Sequence, residues 1–154
     1  MSFTVAAEPP LSDDVRALVQ ALNEFTYGLT PAEHRHHMTV EQMAEPDTTL
    51  FVARDEQGAP LGMGALRRHA NGVGEVKRMF VKPEARGLGV GGAILARIEG
   101  LARQEGAARI VLETGSSLDA ARGVYERGGF QPCDPVLDYP PSAWTAFYAK
   151  SLSA

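Results

Sequence analysis

The sequence predicts a single α/β domain, spanning residues 1–154, in which helices flank a mixed central sheet of about six to seven strands. Two observations carry this prediction. Across residues 49–81, segments rich in apolar and β-branched residues follow one another with only short turns between them, which is typical of antiparallel strands. Beyond residue 90, helical and strand patterns alternate instead, and strands joined by a helix are normally parallel neighbours.

The N-terminal segment predicts one strand and two helices. Phe3–Ala6 is a short strand candidate, and Ser12, followed by two aspartates, is a typical helix N-cap. Gly28 and Pro31 end the helix that follows. Its apolar face repeats at helical spacing and is formed by Val15, Leu18, Val19, Leu22 and Phe25. A second capping signal, the capping box of Thr39 with Gln42, predicts a short helix that reaches Ala44.

Three antiparallel strands follow. Thr49–Arg54 and Pro60–His69 flank the turn-forming quartet at positions 55–58. Asn71-Gly72 predicts a tight turn into the next strand, Glu75–Val81, which ends before Pro83.

The C-terminal half predicts two helices and three strands. Ile94, Ile98 and Leu101 mark the buried face of a helix that ends near Gly106. The remaining elements are, in order, a strand at Arg109–Glu113, a helix at Leu118–Arg127 stopped by Gly128-Gly129, a strand that begins at Phe130 and a last strand at Trp144–Lys150. Four prolines between residues 132 and 141 stiffen the loop before that last strand.

Four glycines at positions 87, 89, 91 and 92 separate the Glu75–Val81 strand from the helix. Such a loop can bind an anion, because its backbone N–H groups approach a ligand closely and the helix N-terminus carries partial positive charge. A dinucleotide-binding G-x-G-x-x-G pattern is formally present, but in that fold the glycine turn follows its strand directly, and here residues 82–86 intervene. The nucleotide-triphosphate loop is excluded because no G-K-[ST] follows.

Two motifs identify a family. Arg86-Gly87-Leu88-Gly89-Val90-Gly91 resembles the R/Q-x-x-G-x-G/A signature of the GCN5-related N-acetyltransferases (GNAT). The segment Val124–Phe130 is similar to the L-Y-E-x-x-G-F segment of the same family. Leu112-Glu113-Thr114-Gly115 and Glu75–Val81 resemble the L-E-T-G and E-L-K-R-M-Y-V segments of one bacterial branch. The resemblance covers residues 50–150.

The resemblance implies a binding site for acetyl-CoA as acyl-donor cosubstrate. Its pyrophosphate is expected on the loop formed by Arg86, Gly87, Leu88, Gly89, Val90, Gly91 and Gly92. The pantetheine arm is expected along Met79, Phe80 and Val81, whose side chains can pack in the core at the same time. The Arg86 guanidinium either pairs with phosphate or remains solvated at the loop.

The resemblance also implies direct attack by an amine on the thioester, without an enzyme nucleophile, so Cys133 is not required. Tyr125 is the candidate general acid for the departing thiolate, with packing at a helix end as the alternative. Glu75 is the candidate general base, against an ion pair with Lys77 or Arg78 or simple solvation at a strand start. Glu113, at the end of the adjacent strand, is the reserve.

His34, Arg35, His36 and His37 form a polar loop without the spacing of a metal site, so no metal is expected, and a solvated loop or the border of the acceptor pocket are the alternatives. The neighbouring carboxylates could favour a cationic acceptor or belong to plain surface. They are Glu41, Glu45 and Asp47.

Composition narrows the class of partner. The net charge of −4 argues against nucleic acid, since phosphate binding needs clustered cations. The sequence has no apolar run of about 18 residues and no signal peptide after Met1, and its one cysteine suits a reducing compartment. We therefore expect a cytoplasmic protein with no membrane partner.

The function predicted from these features is transfer of acetyl from acetyl-CoA to a primary amine of a small molecule through a ternary complex. The alternatives are a catalytically silent acyl-CoA-binding or sensing module on the same fold and a dimeric scaffold, and the sequence also allows a homodimer of the enzyme.

Overall fold

In a computed structural model, residues 2–27 and 38–152 are described, and they form one seven-stranded mixed sheet with helices on both faces. The strands are β1 (Phe3–Ala7), β2 (Thr48–Asp55), β3 (Pro60–His69), β4 (Val73–Val81), β5 (Arg109–Gly115), β6 (Gln131–Cys133) and β7 (Thr145–Ser151). The helices are α1 (Asp13–Tyr27), α2 (Val40–Met43), α3 (Val90–Gln104) and α4 (Asp119–Arg127). The strand order is β1-β2-β3-β4-β5-β7-β6, and only β4 and β5 pair in parallel. The predicted fold class is confirmed.

Both predicted helix starts are present. The Ser12 hydroxyl accepts a hydrogen bond from the Val15 amide at 3.3 Å. At α2, the Thr39 hydroxyl accepts from the Gln42 amide at 3.1 Å, and the Gln42 side chain accepts from the Thr39 amide at 2.8 Å. These bonds satisfy N–H groups that have no acceptor within the helix, which is why the two patterns mark helix ends so well.

Several local predictions differ from the structure. Phe25 was expected on the buried face of α1, but it is 43% exposed, and its ring packs under the Arg86 guanidinium, 5.2 Å from the ring centroid. On α3, Leu101 is only partly buried and Ala102 occupies the core instead. The sixth strand begins at Gln131, one residue later than predicted, and its three residues form an edge of the sheet, where Pro132 is tolerated although it cannot donate to a ladder.

The two faces of the sheet carry separate cores. Along β2, Leu50 and Val52 pack with α1 and α2, whereas Phe51 and Ala53 pack with α3 and α4, as alternating strand residues must. On β5, Val111 lies on the α1 side and packs with Val136, Phe147 and Tyr139 of the C-terminal half. We call these the α1 face and the α3 face.

A β-bulge interrupts β4. Met63 of β3 is opposite Phe80, but Ala65 is opposite Lys77, so β4 has one extra residue between these pairs. Arg78 takes the left-handed conformation, with φ 56°, and donates to the Asn23 side chain of α1, whereas Met79 packs against the core of the α3 face. The bulge therefore turns consecutive side chains out of strict alternation.

The same region opens the sheet. The paired residues of β4 and β5 run only from Val73 with Arg109 to Val76 with Leu112. Beyond that point the described parts of the two strands no longer pair with each other, and they diverge like a fork. No helix among the described residues is both long and apolar enough to cross a membrane.

Candidate active site

The glycine loop has a backbone that only glycine adopts readily. Gly87 and Gly89 have φ of 81° and 83°, and a Cβ at either position would meet no atom within 4 Å. Gly89 caps α3 without any side-chain hydrogen bond, and the first turn of α3 contains no acidic residue. The first N–H groups of α3 have no acceptor within the helix and carry partial positive charge beside the open space at Gly87 and Gly89, which is a suitable environment for an anion.

This open space belongs to a cavity of about 1320 Å³ between the C-terminal half of β4, α3 and α4. Of the residues predicted to hold the cofactor, those lining it are Met79, Phe80, Val81, Arg86, Gly87, Gly89, Gly91 and Gly92. The structure thus brings most of the predicted set to one wall. Leu88 and Val90 do not line the cavity: the Leu88 side chain is exposed, and that of Val90 is buried.

Arg86 lies at the cavity with its guanidinium already engaged. It stacks on Phe25 of α1, and its Nε donates to the Val81 carbonyl at 3.3 Å. These contacts hold the charge beside the glycine loop, where it can still meet a phosphate. Sequence reasoning missed that α1 contributes Leu22 and Phe25 to the cavity wall.

Tyr125 lines the same cavity from α4 and is 5% exposed. Its ring packs against Phe130 and Tyr148, each with ring centroids 6.1 Å apart. Burial raises the pKa of the Tyr125 hydroxyl above its usual range, so the group stays protonated at neutral pH. Tyr125 therefore packs against the core and also lines the cavity, and its role as general acid remains a prediction.

The position of α4 is fixed from the sheet side. The buried Tyr148 hydroxyl of β7 donates to Glu126 at 2.8 Å and accepts from Arg122 Nε at 2.9 Å. Glu126 follows Tyr125 directly in the chain. These bonds hold the helix turn that carries Tyr125 against the sheet.

Glu75 lies on the α1 face and is only 1% exposed. Its Oε1 is 2.8 Å from His69 Nε2, its Oε2 accepts from the Tyr139 hydroxyl at 2.8 Å, and Lys77 Nζ is 3.6 Å from Oε2. Solvation at a strand start, one interpretation of the sequence, is wrong because the carboxylate is buried. The ion pair with Lys77 is present, whereas Arg78 turns to Asn23.

Glu75 does not line the cavity of the α3 face. It is, however, paired with Val111 in the last stretch where β4 and β5 are still joined, one residue before the fork. Glu75 thus lies on the α1 face, opposite the face of the glycine loop, and next to the point where β4 and β5 stop pairing. Its role as base remains a prediction.

Glu113, the reserve base, lies near the same group of side chains. Burial lowers the pKa of Lys77, and the charges of Glu75 and Glu113 act in the opposite direction. Burial also raises the pKa of Tyr139, assisted by Glu75 and Glu113. The α1 face of the fork is therefore a compact polar group of both charges.

His69 and Tyr139 were not recognised as site residues from the sequence. His69 is the last residue of β3, and Tyr139 lies in the proline-rich loop, 64 residues from Glu75. A register prediction for β3 and β4 could have placed His69 near Glu75. No sequence signal joins Tyr139 to either strand.

The predicted acceptor segment lies partly outside the described residues. His34, Arg35, His36 and His37 are all among the residues that the structure does not describe. Asp47 forms an ion pair with Arg67 at 3.3 Å, and Glu41 forms one with Arg16 at 3.6 Å. Within residues 2–27 and 38–152, no group of three or more potential metal ligands is close enough to hold an ion.

Comparison with known proteins agrees with this geometry. The profile of the Acetyltransferase (GNAT) family matches residues 15–130. An IAA acetyltransferase of Azospirillum brasilense is 39% identical over 152 residues, covering 98% of this chain and 99% of the relative. YsnE of Bacillus subtilis, an uncharacterized N-acetyltransferase, is 34% identical over 142 residues, covering 89% and 93%.

A solved structure from Klebsiella pneumoniae, provisionally assigned as an acyl-CoA N-acyltransferase, superposes with a TM-score of 0.83 at 28% identity. The match covers 98% of both chains. The chain therefore belongs to the GNAT family of acetyltransferases.

Proposed function

We propose that this protein transfers the acetyl group of acetyl-CoA to a primary amine of a small molecule, by direct attack of the amine within a ternary complex. The observation that carries the proposal is that the glycine loop and Tyr125 line one cavity next to the fork of the sheet. A pyrophosphate site and a proton donor in the same cavity match a ligand with a phosphate at one end and a thioester at the other.

On the donor side, the cavity suits acetyl-CoA. The open space over Gly87 and Gly89 is what a phosphate group would fill, and the first turn of α3 supplies the N–H groups. Tyr125 then stands farther along the cavity to meet the sulfur. Because its pKa lies above that of a thiol, it stabilises the departing thiolate by donating a hydrogen bond rather than by surrendering its proton outright.

On the acceptor side, we propose that the amine approaches from the α1 face, through the fork. An amine in neutral water is mostly ammonium, and only the neutral amine attacks a thioester, so the site needs a base. Glu75 is a buried carboxylate next to the point where β4 and β5 stop pairing, and it is the candidate for this general base. A water molecule between the amine and the carboxylate would make up for any remaining distance.

The name of one relative widens the set of acceptors worth testing. The Azospirillum brasilense protein is called an IAA acetyltransferase, so IAA belongs in the panel beside the amines. No observation on the described residues favours a catalytically silent module. A cytoplasmic location and a homodimer remain predictions from the sequence.

Release of free coenzyme A, measured with a thiol reagent over a panel of small primary amines and IAA, tests the proposal. We expect acceptor-dependent release that saturates with at least one amine. Binding of acetyl-CoA by calorimetry without turnover on any acceptor would contradict the enzyme and favour the silent module. Absence of binding would contradict the site itself.

A further inference from the structure

The geometry points to His69 as the proton outlet of the acceptor site, an inference that rests on Glu75 being the base in the proposed function. A base that receives a proton at every turnover must also release it. Glu75 is 1% exposed, so its carboxylate has almost no contact with water. Release must then pass through one of the groups bonded to it.

The hydrogen bonds of Glu75 lead in two directions. On one side, Lys77 Nζ donates to the Tyr139 hydroxyl at 3.1 Å, and that hydroxyl donates to Glu75 Oε2 at 2.8 Å. In both of these bonds the donor points toward the carboxylate. The raised pKa of Tyr139 also keeps the phenol from ionising at neutral pH. These two bonds therefore stabilise the charge of Glu75.

The other direction leads to solvent. His69 Nε2 is 2.8 Å from Glu75 Oε1, and the His69 side chain is 25% exposed. Imidazole is the side chain that gains and loses a proton most readily near neutral pH, and its second nitrogen allows it to accept on one side and release on the other. His69 thus joins a buried carboxylate to water through one hydrogen bond.

One proton passes from the substrate ammonium to water through Glu75 and then His69. The Glu75 carboxylate takes a proton from the substrate ammonium and becomes a carboxylic acid, leaving the neutral amine. At rest the neutral ring carries its proton on Nε2 and donates to Oε1, so tautomer exchange through water first frees Nε2. The acid then passes its proton across the Oε1–Nε2 contact, and the resulting imidazolium releases its Nδ1 proton to water, which restores the Nε2–H tautomer. The net result is one proton moved from ammonium to solvent, with both side chains regenerated.

Other charged and titratable groups lie around this pair. Arg67 lies opposite Glu75 on β3, and Lys77 and Arg78 follow it on β4. Glu113 of β5 and Tyr139 of the loop before β7 lie beside Lys77. His69 acts through Glu75 and is therefore a positioning and relay residue rather than one that touches the substrate.

The test compares His69→Ala with wild type at saturating amine and fixed pH, while the concentration of imidazole buffer is varied at constant ionic strength. We expect kcat of the variant to fall by at least about tenfold at low buffer, because a positioned proton-transfer group typically contributes about a hundredfold or more. The rate should rise with imidazole concentration, because a small base can replace the missing ring. Wild type should not respond.

Two further variants make the result decisive. His69→Gln keeps a donor to Glu75 but cannot carry a proton, so it should show the same buffer dependence, and it serves if the alanine variant does not fold. Tyr139→Phe removes the other hydrogen bond to Glu75, and its kcat, whatever its value, should not depend on the imidazole concentration. Wild-type kcat in either His69 variant at low buffer, or a slow rate that imidazole does not restore, would overturn the relay.

The failure of the relay is distinguishable from that of the proposed function by the Glu75→Gln variant in the same assay. If that variant is slow while the His69 variants are normal, Glu75 is the base and releases its proton by another route. If Glu75→Gln is as fast as wild type, the assignment of the base is wrong, and the relay is wrong with it.

Discussion

Substitution of two glycines distinguishes the effect of backbone strain from the effect of lost ligand binding. Gly89 in the cofactor loop and Gly58 in the turn between β2 and β3 both have φ of 83°, and a Cβ on either would meet nothing within 4 Å. Only Gly89 lines the cavity. A valine in this conformation costs about 1–2 kcal/mol, so each variant should fold with a Tm lower by about 2–8 °C. The free energy of unfolding of a native domain is about 5–15 kcal/mol, so a loss of this size leaves the protein folded.

The two variants should differ in cofactor binding. Gly89→Val places a branched side chain in the space proposed for the pyrophosphate and disturbs the turn that aims the N–H groups. We expect its dissociation constant for acetyl-CoA, measured by calorimetry, to rise more than tenfold, which is at least about 1.4 kcal/mol. Gly58→Val should bind like wild type despite the same strain. Normal binding by folded Gly89→Val, or equal losses in both variants, would refute this account of the loop.

Three further predictions concern single side chains. Tyr125→Phe keeps the ring contacts with Phe130 and Tyr148 but removes the hydroxyl that donates to the departing thiolate. Its kcat should fall on the order of a hundredfold while Tm is preserved, and a wild-type kcat would leave Tyr125 as a packing residue only. Glu75→Gln should lose most activity at neutral pH and recover part of it at high pH, where free amine is abundant; a pH profile of kcat/KM parallel to that of wild type would transfer the role to Glu113 or to water. Arg68 donates to Glu105 at 2.6 and 2.8 Å and holds the pKa of Glu105 below its ordinary value of 4.5. The stabilisation from this pair is therefore present above pH 4.5 and is lost as the pH falls through the lower pKa of the folded state. Glu105→Gln should lose less stability than wild type over this acid range, and an unchanged acid unfolding curve would contradict the pairing.

The sequence predicted most of what depends on neighbouring residues. The capping box of Thr39 with Gln42 and the N-cap at Ser12 are formed by contacts within one helical turn, and both are present. The glycine loop is also contiguous in the chain, so its motif could be recognised without knowing the fold. Gly87 and Gly89 then adopt the left-handed backbone that such a loop requires.

What the sequence could not predict depends on strand register and on distant loops. The bulge at Arg78 adds one residue to β4, and a pattern of alternation alone does not show where such a residue is inserted. The partners of Glu75 come from the end of β3 and from Tyr139, which only the folded sheet brings together. Phe25 follows the helical repeat of α1, which predicted a buried side chain, but its ring is exposed and packs against the Arg86 guanidinium.

The polar group around Glu75 also explains why the base could not be assigned from composition. Lys77, Glu113 and Tyr139 influence one another there. Burial makes this influence strong, because charges removed from water are sensitive to one another at short range.

A crystal structure with coenzyme A bound tests the central claim most directly. The account predicts the pyrophosphate against the backbone of residues 87–92, the pantetheine arm beside Met79 to Val81, and the sulfur within hydrogen-bond distance of the Tyr125 hydroxyl, on the opposite side of the fork from Glu75. Coenzyme A bound outside the cavity between α3 and α4, or bound there with its sulfur far from Tyr125, would contradict it.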